Sequence, residues 1–185
     1  MIPLCWFRHG LAALTLIVAG VTGLAASPPA SPVATPATAP AALATEWAPL
    51  AFLVGHWEAD GGGSPGSSTG RFSFESVAEG HAMLRRNESI SSSGKHTDIM
   101  LIHIEANGGF GATYADNEGH VIRYTVTASA EPKGAIFLSD ASSGGPRFRL
   151  TYRLNPDRTV AIAFDVAPPG ATEFKNYVQG VGRRK

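Results

Sequence analysis

Apolar and polar residues alternate with a period of two through much of the chain beyond residue 70. Phe148, Leu150, Tyr152 and Leu154 oppose Arg147, Arg149, Thr151 and Arg153, the pattern of a half-buried strand. Val160, Ile162, Phe164 and Val166 alternate with Ala161, Ala163 and Asp165, and Phe72 and Phe74 alternate with Arg71, Ser73 and Glu75. Residues 98–104 are apolar on both faces and read as the most buried strand. Turn chemistry separates these segments, as in Asn107-Gly108-Gly109, Asp116-Asn117-Glu118-Gly119, Pro132-Lys133-Gly134 and Asn155-Pro156-Asp157. Glycine supplies positive φ and proline fixes its own, so such runs end strands for mechanical reasons.

This punctuation predicts about ten strands, near 52–60, 70–78, 81–89, 97–106, 109–115, 120–128, 134–140, 147–154, 159–167 and 173–183. No segment past residue 26 keeps a helical apolar period over three turns, and a short helical turn is expected around Trp47–Leu50. The fold class is therefore all-β. Consecutive hairpins are most simply satisfied by an antiparallel up-and-down barrel, which removes its own edges. A two-sheet sandwich is the alternative.

The ends of the chain change this picture in one respect. Arg8 and His9 precede an apolar run from Leu11 to Leu24, followed by small residues. That order predicts a signal peptide over 1–26 and a periplasmic or secreted product. The run is short for a membrane span, which takes about 20 residues, although an uncleaved anchor is the alternative. Residues 27–45 hold five prolines, no charge and no aromatic side chain, which predicts a disordered tether. The remaining 46–185 form one domain, large enough for a single core. Cys5 is the only cysteine, so the domain reaches an oxidising compartment without disulfides. Without Arg8 the chain carries 14 basic and 15 acidic side chains, a balance that attracts neither nucleic acid nor an anionic membrane.

Candidate chemistry is sparse. Five histidines follow the leader. Alternation sends His56 outward if Trp57 points inward, and His96 and His120 adjoin turns and read as solvated. His81 and His103 are the better ligand candidates, but a single histidine on an apolar strand is more often a hydrogen-bonded core residue. No spacing marks a metal site. No Gly-x-Ser-x-Gly elbow is present, and Glu105, Asp140 and Asp165 read as strand carboxylates on the solvent face. The arginines of 147–153 read as a solvated outer face.

Gly55-His56-Trp57 at the start of the first strand and an arginine near the chain's end resemble the calycin pattern of lipocalins, fatty-acid-binding proteins and nitrobindin-like barrels. Further matches are Gly61-Gly62-Gly63, Glu79–Leu84, Gly109–Asp116 and Tyr177–Arg183, so that the resemblance spans roughly 50–184. It implies a calycin-like barrel in which Gly55, Trp57 and Arg183 close one end, with the arginine across the indole. The nitrobindin-like pattern has a glycine where this chain has Ala59. The haem-binding members place their iron ligand late in the barrel, and no histidine follows His120. Haem binding is not carried over, and no cofactor is expected.

What the barrel would hold lies inside it. Alternation directs Trp57, Phe72, Phe74, Tyr114, Tyr152 and Phe164 to one face. Barrels of more than eight strands tend to leave a cavity, and an aromatic cavity with a few polar tips holds small apolar ligands. The expected role is binding a small hydrophobic or amphipathic molecule through these six residues; the alternative for the aromatics is that they pack on one another. An isomerase, cyclase or hydrolase acting in the same lumen is the second class of function, favoured by a polar pair inside it. An envelope interaction protein without ligand is the third.

Overall fold

The computed structural model describes residues 41–64, 66–141 and 144–185. The expected signal peptide, and the expected tether as far as residue 40, lie outside the described residues. The tether's last residues, from 41, are not free of the barrel: the Ala44 amide donates to the Gly80 carbonyl at 3.3 Å, and Leu43 and Ala44 pack on the core.

Ten strands follow in sequence: β1 (Gly55–Gly63), β2 (Ser68–Val77), β3 (Ala82–Ser91), β4 (Gly94–Ile104), β5 (Phe110–Asp116), β6 (Val121–Ser129), β7 (Gly134–Ser139), β8 (Arg147–Leu154), β9 (Val160–Ala167) and β10 (Lys175–Arg184). Each pairs antiparallel with its sequence neighbour, and β10 returns to pair with β1. The ring is closed, so the up-and-down barrel stands and the sandwich does not. Among the described residues no helix is long and apolar enough to cross a membrane.

The first strand starts later than its hydrophobicity suggests. Thr45–Trp47 and Ala51–Leu53 are 3-10 turns, and Trp47, Leu50 and Leu53 are fully buried as a plug under one end of the barrel. Apolar residues here fill an end instead of lining a wall. The Trp57 indole N–H donates to the Leu53 carbonyl at 2.8 Å, and Trp47 meets Phe110 at 5.2 Å between ring centroids.

Arg184, not Arg183, covers the indole. Its guanidinium carbon lies 4.3 Å from the Trp57 ring centroid, while Nη1 and Nη2 donate to the carbonyls of Val54 and Phe52. The register explains the change. Trp57 is paired with Arg184 across β1–β10, and paired residues share a face. Arg183 points the other way and meets Asp60 at 2.8 Å on the surface. Gly55 has φ of +128°, and any Cβ there would run into the Arg184 guanidinium, so the glycine makes the arginine's seat.

Above the plug the barrel is filled. Trp57, Phe72, Phe74, Met83, Met100, Ile102, Phe137 and Tyr152 are buried. Their rings interlock: Phe74 and Phe137 meet Tyr152 edge-on at 5.4 and 6.0 Å, and Trp57 stacks on Phe72 at 5.8 Å. Four of the six expected lining aromatics thus belong to a packed core.

Candidate functional site

The other end of the barrel, where the β1–β2, β3–β4, β5–β6, β7–β8 and β9–β10 connections gather, is built differently. Inward positions there are only half-buried, among them Asn87, His96, Tyr114, Ile122, Phe148 and Phe164. One wall is nearly bare of side chains. Ala59 pairs with both Gly70 and Gly182, and Gly61 pairs with Gly180. Backbones lie so close across this wall that a Cβ on Gly61, Gly70 or Gly180 would strike the neighbouring strand. Beside it, on β8 and β9, Phe148 stacks on Phe164 at 5.8 Å.

At the floor of this half lies a buried ion pair, Arg85 on β3 with Asp98 on β4. Both face inward by the same alternation that buries Met83 and Met100. The second Asp98 oxygen accepts from Asn87 Nδ2 at 2.9 Å and lies 3.4 Å from His96 Nε2. His96 Nε2 is also 3.0 Å from the Tyr114 hydroxyl, which donates to Asp116 at 3.1 Å. Asp116 in turn meets His120 Nδ1 at 2.9 Å and accepts from the amides of Glu118 and His120. A continuous polar chain therefore runs from the buried centre to the exposed β5–β6 turn.

Two groups at the inner end of this chain, Arg85 Nε and the Tyr152 hydroxyl, are fully enclosed, and Tyr152 lies within hydrogen-bonding reach of the Arg85 guanidinium. Their protonation states are settled by surroundings. Burial penalises the Arg85 charge, but Tyr152 and the Asp98 carboxylate outweigh it, so its pKa rises and the cation persists. Burial raises the phenol pKa of Tyr152, Tyr114 and Tyr124 alike, so all three remain donors.

The carboxylates and histidines near solvent are tuned in the opposite sense. Burial works against the Asp116 charge, but hydrogen bonds from His120, Glu118 and Tyr114 prevail and hold its pKa at about 2. The hydrogen bond with Asp98 raises the pKa of His96, against the opposing effect of burial.

Of the six expected aromatics, only Tyr114 and Phe164 edge the open half. His96, read as solvated, is the histidine that enters the lumen. His81 is exposed, and His103 lies on the outer face 3.8 Å from Glu105, so neither candidate ligand points inward. Asp98 and Arg85 were hidden inside strands that otherwise read as apolar or as mixed. Strand parity from Met83 and Met100 was the signal that could have found them. The 147–153 arginines are outward, but not merely solvated: Arg149 pairs with Asp165 at 2.9 Å, and its guanidinium carbon lies 4.6 Å from the Phe174 ring centroid.

A groove of about 550 Å³ also crosses the outer face of β1–β4. Several of its charges already answer one another, Glu88 to Arg71 and Lys95, and Lys185 to Glu58. The lumen, with a polar chain reaching from its floor to the surface, is the better candidate.

No family model matches the sequence, and no curated protein does. Similarity is found among solved structures. The M. tuberculosis protein Rv2717c is 13% identical, with a TM-score of 0.58 over 77% of this chain and 99% of that one. A de novo designed fluorescence-activating β-barrel is 14% identical, with a TM-score of 0.41 over 73% of this chain and 95% of its own. The EF1p2_mFAP2b structure, bound to DFHBI, is 10% identical with a TM-score of 0.42 over 74% and 96%. At these identities Rv2717c speaks to the fold alone.

Proposed function

We propose that this barrel binds a small amphipathic molecule in the open half of its lumen, polar end inward. The observation that carries the reading is the half-buried inward lining at this end, with Asn87, His96 and Tyr114 beside Ile122, Phe148 and Phe164, above a buried ion pair. Asn87, His96 and Tyr114 would meet the polar end of the ligand. Its apolar body would lie against the Ala59 and glycine wall and the adjoining Phe148–Phe164 stack, a lining suited to a small ligand. The same reading takes the domain as calycin-like, supported by Gly55, Trp57 and Arg184, and the chain as exported, supported by its opening 26 residues.

The test is titration with a fluorescent fatty-acid analogue. Saturable binding is expected, weakened at least tenfold in Ala59→Phe, which fills the small-residue wall. No response in the wild-type chain would sink the reading. An enzyme using the same lumen is the second reading, favoured by the His96–Tyr114–Asp116–His120 chain, which offers a route for protons between centre and surface.

A further inference from the structure

Strand β4 carries apolar side chains on both faces, the pattern of a strand covered on both sides. The barrel covers only one of them. Met100 and Ile102 are buried inside, whereas Ile99 and Leu101 point outward and are 48% and 44% exposed. Val121, at the start of β6, is 70% exposed.

The registers join these residues into one patch. Across β3, β4, β5 and β6 one row reads Arg86, Ile99, Ala115, Val121, and the next reads Leu84, Leu101, Thr113, Arg123. Paired residues share a face, so the apolar side chains lie together with an arginine at two diagonal corners. Contiguous apolar surface rimmed by charge marks contact with another molecule.

The patch fits itself. Turning a second barrel about an axis along the strands, midway between β4 and β5, lays β4 on the partner's β5 and β3 on the partner's β6. Ile99 then meets the partner's Ala115, and Leu101 the partner's Thr113, a large side chain against a small one each time. Arg86 lays its aliphatic stem on the partner's Val121. Arg123 lies on the partner's Leu84, and Glu75, which pairs with Leu84 across β2–β3, is one strand further on. Arg123 thus stands between Asp140 of its own chain, whose amide donates to the Arg123 carbonyl at 3.1 Å, and the partner's Glu75. Among the described residues Arg86, Arg123, Glu75 and Asp140 make no ion pair within the chain. The two-fold arrangement answers Arg123 and sets no arginine opposite an arginine.

We propose that this protein forms a weak two-fold dimer through the outer face of β3–β6, with Ile99 and Leu101 at its centre. The dimer is independent of what the lumen holds. A strip four strands wide and roughly seven residues long covers about 450 Å² on each copy. The pair buries roughly 1,000 Å², the small end of specific interfaces, so the dimer forms and dissociates with concentration.

Analytical ultracentrifugation of the full chain, from low micromolar to near-millimolar concentration, should show monomer giving way to dimer. Ile99→Asp and Leu101→Lys change half-exposed side chains, so both should unfold at the wild-type temperature while weakening the dimer at least tenfold. Arg123→Glu should weaken it several-fold, and adding Glu75→Arg should restore most of that loss. The two residues lie on β6 and β2, four strands apart within one chain, so the rescue reads a contact between copies. Absence of rescue would overturn the two-fold arrangement. A chain that stays monomeric throughout would overturn the dimer, as would association that survives Ile99→Asp. A monomer that instead sediments with phosphatidylglycerol vesicles, and no longer does so in Ile99→Asp, would assign the face to a membrane and overturn it too.

Discussion

Arg184 and Trp57 lock the plugged end of the barrel. The guanidinium lies flat enough on the indole to sit 4.3 Å from its centroid while bonding two carbonyls of the preceding turn. A cation over an aromatic face contributes about 0.5–2 kcal/mol, and charge-assisted hydrogen bonds add about 1.5–3 kcal/mol each. Because Arg184 is exposed to solvent these contributions do not add in full, and Arg184→Ala should cost about 2–4 kcal/mol in denaturant unfolding. Arg183→Ala, which removes an exposed pair with Asp60, should cost under about 1 kcal/mol. Equal effects would show that the indole's partner is not decided by register.

The buried pair predicts an asymmetry between single and double changes. Arg85→Met or Asp98→Leu alone leaves an unpaired charge inside and should cost about 3–5 kcal/mol. The double variant removes both charges and should recover most of that loss. Thermal and urea unfolding of the four proteins forms the cycle; additive losses would mean that the two side chains do not depend on each other.

Stability should respond to pH at two edges. His96 has a folded pKa above its ordinary value, so its contribution is complete below about 6.5 and is lost as pH rises through the folded value. Asp116 sits at about 2 when folded, below its ordinary 3.8, so its contribution is complete above the ordinary value and lost as pH falls toward 2. His96→Gln should flatten the neutral edge, and Asp116→Asn the acid one. Melting temperatures measured across pH give both slopes, and an unchanged neutral edge in His96→Gln would assign that edge elsewhere.

Export is a separate matter, and it has a direct measurement. N-terminal sequencing of the protein recovered outside the cytoplasm should read from near Ser27. A product that retains Met1 there would point to an uncleaved anchor instead.

The barrel was legible because pleating imposes a period of two and turns need glycine, proline or asparagine. Strands 147–154 and 160–167 show both. The 3-10 plug was not, since Ala51-Phe52-Leu53 is as apolar as a strand and only the bonds from Trp57 and Arg184 bend it. The site was the least legible part. Burial of Trp57, Phe72, Phe74 and Tyr152 follows from alternation, but alternation cannot say whether buried rings touch each other or a ligand. Asp98 was overlooked because it opens a strongly apolar strand, and His96 because it follows a turn by two residues. Position along a strand does not reveal which end of the barrel is stoppered.

The clasp between Arg184 and the Val54 carbonyl joins residues 130 apart in sequence, and it involves the last strand of the barrel. Until β10 has emerged, β1 and β9 are bare sheet edges able to recruit other chains. The ring can close only once β10 has been made, so assembly is governed by its most distant contact. Loss of β10 would do more than trim the molecule: it would leave a sticky, open ribbon. A bulky group attached at Lys185 would press on the clasp itself.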